Sequence, residues 1–103
     1  MGPKTETLIV ALGEIVVLLE KLGDRHHADQ VSKAKVLLEQ SDFSGISHVL
    51  TVFNPKNSLN DVDWSPVESE FDNLTAGGNF EAMSSTIYEL ADGVRREVEG
   101  EER

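Results

Sequence analysis

Apolar residues recur along this chain at spacings of three and four, the signature of helices that bury one face. Leu8, Leu12, Ile15, Leu19 and Leu22 form the first stripe, and Ile9, Val10, Val16 and Val17 widen it around most of the circumference. The pattern predicts a helix over residues 5–22, apolar nearly all round and therefore central among its neighbours. The β-branched "IVV" lowers helix propensity there, but the length of the stripe favours helix over strand. Gly23 is expected to end this helix, and Asp24 to cap the next by accepting a backbone N–H.

A narrower stripe of Ala28, Val31, Ala34 and Leu38 predicts a second helix over residues 25–40, with Lys33, Lys35 and Glu39 outside it. Phe43, Ile46, Val49, Leu50 and Phe53 predict a third over 42–53, capped by Ser41 or Asp42 and slightly weakened by Gly45. It should stop at Asn54-Pro55, because the residue before a proline avoids the helical region. A polar loop over 54–65 follows. "SPVE" then reads as a start signal, with Ser65 as cap, Pro66 in the first helical position and Glu68 as capping-box partner. Val67, Phe71 and Leu74 share a face over 66–76, until Gly77-Gly78 breaks the helix. The last helix, 79–98, carries a seam of Phe80, Met83, Ile87, Leu90, Val94 and Val98, and residues 99–103 should fray. The fold class is all-α: one domain over 1–103, a compact four- to five-helix bundle with a polar loop between the third and fourth helices.

At 103 residues, 39% hydrophobic and 27% charged, the chain has enough apolar content for one core and too much for disorder. It contains no cysteine, which removes disulfides, thiolate nucleophiles and thiolate metal sites. The longest apolar run, "LIVALGEIVVLLEKLG", includes Gly13, Glu14 and Glu20 and falls short of the ~20 residues a membrane span needs. No cleavage signal follows it. The expectation is a cytoplasmic protein that does not engage a membrane.

Charge changes the picture most. The net charge is −10, and it is lopsided: residues 1–53 carry five basic and seven acidic groups, residues 54–103 four and twelve. Such a field repels nucleic acid and favours a basic protein partner.

Candidate chemistry is sparse. His26 and His27 are adjacent, so on a helix they point about 100° apart and cannot chelate one ion together, and His48 is distant. "DVDWSPVESEFD" places Asp61, Asp63, Ser65 and Asp72 at calcium-loop positions, but Pro66 occupies the position where the sharp turn needs glycine. Ser84 and Ser85 lie mid-helix, where hydroxyls bond back to the preceding turn. "GGN" lacks the lysine and spacing of a phosphate loop, and Asn73-Leu74-Thr75 is a glycosylation signal that a cytoplasmic protein would not use. The expectation is therefore no catalytic residue, no metal and no cofactor.

What remains is the stretch from Phe53 to Asn73. Trp64 is the only tryptophan, and Asp61, Asp63, Glu68, Glu70 and Asp72 surround it. An aromatic anchor ringed by charge has the composition of a recognition patch, while a lone tryptophan is also often the last piece of a core. These six residues form the candidate partner-binding site.

From "LLEKLGDRHHADQVSKAKVLLEQSDFSGISHVLTVF" through "NSLNDV", residues 8–62, the chain resembles a family of small bacterial all-helical domains of unknown function. Phe53, Ser58, Leu59, Asn60 and Asp61 are the matching positions, although "NPKN" stands where members tend to have a glycine-rich link. Small acidic helical proteins of this kind look like immunity proteins, so the resemblance implies an inhibitor of a cognate toxin domain. Two other readings stand beside it. One is a self-associating structural or adaptor subunit, a homodimer pairing through Met83, Ile87 and Leu90 of the last helix; the other is a small enzyme or ligand-binding protein with a pocket near His27 or His48.

Overall fold

In the computed structural model, which describes residues 2–54, 56, 58–74 and 78–101, four α-helices pack side by side. They are α1 (Pro3–Lys21), α2 (Arg25–Glu39), α3 (Ser44–Val52) and α4 (Phe80–Glu101). α1 lies against α2 and α4, and α3 lies against the same two, so the four close a ring. Two 3-10 helices, Ser58–Asp61 and Ser65–Asn73, join α3 to α4. The described residues contain no strand, and the molecule is an all-α bundle of 46 × 24 × 24 Å. Among them no helix is long and apolar enough to cross a membrane.

The helix junctions follow from local chemistry. Pro3 occupies the first turn of α1, where its missing N–H costs nothing. At the other end Gly23 adopts φ +76°, its N–H reaches the Glu20 carbonyl (3.0 Å), and Asp24 N–H reaches that of Leu19 (2.9 Å). This is the Schellman arrangement, which satisfies orphan carbonyls by a left-handed residue. Asp24 then caps α2 by accepting from His27 N–H. The same device recurs at the end of α2, where Ser41 N–H meets the Leu38 carbonyl (3.0 Å) and Asp42 N–H that of Leu37 (2.8 Å). Here the left-handed residue is Ser41, φ +59°, with no glycine to relieve the crowding. Asp42 rather than Ser41 serves the start of α3, accepting from the N–H and hydroxyl of Ser44. α3 therefore begins two residues later than the sequence suggests.

The expected stripes are buried: Leu8, Leu12, Ile15 and Leu19 from α1, Ala28, Val31, Ala34 and Leu38 from α2, and Met83, Ile87 and Val94 from α4. One expectation fails. α1 is not central, since Val10 and Val17 are 55% and 52% exposed. In a four-membered ring every helix keeps an outward face, and the breadth of an apolar stripe does not change that. Met83 and Ile87 have no exposed surface, so the seam considered for homodimer pairing is occupied by the chain's own core.

α3 is short: nine residues, or roughly 14 Å, against 22 residues and roughly 33 Å for α4. The chain beyond it contributes Leu59, Val67 and Phe71, all buried, to the core. The polar stretch is thus a plug that finishes the bundle, and not only an appended loop. Its second segment is a 3-10 helix where an α-helix was expected over 66–76; residues 75–77 lie outside those described. The tighter winding stretches nine residues over roughly 18 Å. Ser65 does not cap it: the flanking residue is Trp64, and Ser65 N–H is itself taken by Asp63 Oδ1 at 3.1 Å. α4 starts on Asn79, whose side chain accepts from Ala82 N–H (2.8 Å), and its helical bounds run to Glu101. Glu102 and Arg103, like Pro55 and Gly77, lie outside the described residues.

Candidate protein-binding groove

Trp64 is the last of the three residues, 62–64, that separate the 3-10 helices, and its backbone is already in the right-handed helical region. Its indole stacks on Phe80 at the head of α4 (centroids 4.3 Å apart, planes 11° apart) and meets Phe71 edge-on at 5.7 Å. Offset and edge-to-face aromatic pairs each add about 0.5–1.5 kcal/mol beyond burial. The indole is half-buried, neither wholly core nor fully presented, and its Nε1 is buried with no acceptor among the described residues. It lines a depression of about 320 Å³ whose rim includes Glu68 and Glu81.

The three-residue repeat of the 3-10 helix distributes the candidate carboxylates. Ser65, Glu68 and Phe71 share the face that lines the depression. Val67 and Glu70 belong to another face, on which Val67 is buried and Glu70 pairs with Lys21 at the end of α1. Asp72 is exposed on the third, with Pro66 and Ser69. Asp63 is exposed but locally engaged: the hydroxyl and backbone N–H of Ser65 hold its carboxyl below the ordinary aspartate value. Asp61, at the end of the first 3-10 helix, is exposed. Of the six residues singled out from sequence, only Trp64 and Glu68 thus share this depression.

Tertiary packing adds residues that sequence reasoning missed. Glu81 stands in the first turn of α4 and lines the Trp64 depression together with Phe80 and Asn79. Phe80 and Glu81 also line a second, larger depression of about 570 Å³, with Phe53, Ser85, Tyr88 and Glu89. One signal was available: Glu81, Ser85 and Glu89 recur every four residues, a polar stripe beside the apolar seam.

The remaining candidates sit elsewhere. His26 is exposed near Gln30, His27 is bonded to Asp24 at 2.7 Å, and His48 on α3 has a buried Nε2 without a partner among the described residues. No group of three or more metal-ligating side chains comes together among the described residues. Ser84 is buried and Ser85 exposed, both beside the larger depression. No family model matches the chain, and no curated protein or solved structure is significantly similar to it.

Proposed function

We propose that the chain is a non-catalytic, cytoplasmic binding protein of the immunity type, which neutralises a basic toxin domain by covering it. The observation that carries this reading is a half-exposed indole set between Glu68 and Glu81 on a molecule of net charge −10. The acidic field draws a basic surface in and raises the encounter rate, while Glu68 and Glu81 oppose its lysines or arginines. Trp64, already immobilised against Phe80 and Phe71, loses little side-chain freedom when its exposed edge is covered. Asp61, Asp63 and Asp72 contribute at a distance, and Glu70 is engaged by Lys21.

The test begins with capture from the producing cell on immobilised protein, followed by kinetics with the captured partner. The expected partner is basic and loses its own activity in the complex. The double variant Glu68→Lys, Glu81→Lys should slow association steeply at low salt and by less as salt screens the field. Trp64→Ala should act on dissociation, raising it about thirtyfold for an anchor worth about 2 kcal/mol. A partner bound with unchanged rates by both variants would remove this end of the molecule from consideration. A captured partner that stays fully active would end the inhibitor reading.

A further inference from the structure

Three depressions lie in a row beside α4 and share lining residues, and we treat the row as one channel. The Trp64 depression and the larger one share Phe80 and Glu81. The larger one shares Tyr88 with a third of about 500 Å³, which ends at Lys56 and Arg95. From Phe80 to Arg95 the channel follows α4 for roughly 22 Å. Buried Phe53 and Ser84 and half-buried Tyr88 form the floor, and the exposed Glu81, Ser85 and Glu89 rise along one side.

We infer that this channel receives an amphipathic helix of the partner, about fifteen residues long, with apolar side chains over Phe53 and Tyr88 and lysines or arginines opposite Glu81 and Glu89. The inference deepens the reading that the partner is basic and rests on it. Three observations select this occupant. The row of depressions spans about four helical turns of α4, the length of a helix of about fifteen residues. The described residues offer no strand edge, so an extended peptide would find no ladder of backbone partners, whereas a helix satisfies its own. The walls carry Glu68, Glu81 and Glu89 over the upper two thirds, so a cationic helix is attracted and a second copy of this chain, itself at net charge −10, is repelled.

The experiment uses the full chain and three synthetic peptides without tryptophan. The first is a leucine–lysine amphipathic helix of about sixteen residues; the second is the same sequence with two central residues replaced by proline; the third carries glutamate in place of lysine. Trp64 emission reports binding, and backbone amide shifts report the place. The helical basic peptide should bind and shift Ser84, Ser85 and Tyr88, and neither other peptide should match it. Glu81→Lys with Glu89→Lys should lower its affinity about tenfold or more. Ser85→Phe, which fills the channel without altering charge, should abolish the shifts. Equal binding of the proline-broken peptide, binding unaffected by Ser85→Phe, or shifts on another face would each overturn the inference. If the basic partner binds with unchanged affinity to Ser85→Phe, the channel proposal fails while the basic-partner reading stands. If no basic protein binds at all, the reading beneath it fails.

Discussion

Gly45 offers a sharp test of how α2 and α3 meet. It is buried in the first turn of α3, and a β-carbon built there would lie 3.0 Å from the Ala34 carbonyl oxygen, 3.0 Å from Leu37 Cβ and 3.1 Å from Leu38 Cγ. By helix propensity alone, alanine should improve the helix by up to about 1 kcal/mol. The contacts oppose that gain. The Ala34 oxygen belongs to the backbone of α2 and cannot rotate aside, so the added methyl must move one helix from the other. Overpacking of this kind costs about 1–3 kcal/mol. The net expectation for Gly45→Ala is a loss of roughly 1–2 kcal/mol, or about 4–16 °C in melting temperature for a domain of this size. Gly13→Ala is the matched control. It lies mid-helix in α1, and its new β-carbon would meet only the flexible stem of Lys35, 3.2 Å away at Cε. That variant should gain about 0.5–1 kcal/mol. Urea denaturation followed by circular dichroism measures both. A Gly45→Ala protein more stable than the parent, or a destabilised Gly13→Ala, would refute the packing argument.

The two Schellman turns predict opposite responses: Ser41→Gly should stabilise by about 0.5–1 kcal/mol and Gly23→Ala destabilise by about 1, read from the same denaturation curves. Asp24→Ala should cost about 0.5–2 kcal/mol at neutral pH by removing the cap of α2. Partial burial pushes the Asp24 carboxyl up, but hydrogen bonds from the ring and backbone N–H of His27, with nearby imidazole charge, outweigh it and hold the group below its ordinary value. A depressed carboxyl stabilises above its unfolded pKa of about 3.9 and loses that effect as pH falls through the folded value. The stability gap between parent and variant should therefore hold above about pH 5 and shrink below about pH 4, as denaturation midpoints across that range would show.

The stripes of α1, α2 and α4 were legible because burial of one face imposes a period that no other constraint interrupts. Asp24 and Gly23 were legible because capping and left-handed turns depend on residues adjacent in sequence. Ser65 misled for the same reason: "SPVE" satisfies the local rule, but Asp63 takes the Ser65 N–H first and the segment winds as a 3-10 helix. The candidate site was legible only in its anchor. Sequence proximity gathered Asp61, Asp63, Glu70 and Asp72 around Trp64, yet the three-residue repeat turns Glu70 toward α1 and Asp72 to solvent. Glu81 joins Trp64 because the indole stacks on Phe80, a contact between elements, while Glu89 follows from the four-residue stripe it shares with Glu81 and Ser85.

The ion pair between Lys4 and Glu97, at 2.9 Å, holds the start of α1 beside the end of α4. The first turn of α1 and the last turns of α4 therefore lie at one pole, roughly a full α4 length from Trp64. A fluorophore or affinity handle attached to the exposed Lys4 or Glu97 side chain would sit at that pole and leave the indole unobstructed. A short linker from the last turn of α4 to Pro3 would allow the backbone to be reopened at the exposed Gly23 turn, giving a rearranged chain with the same bundle.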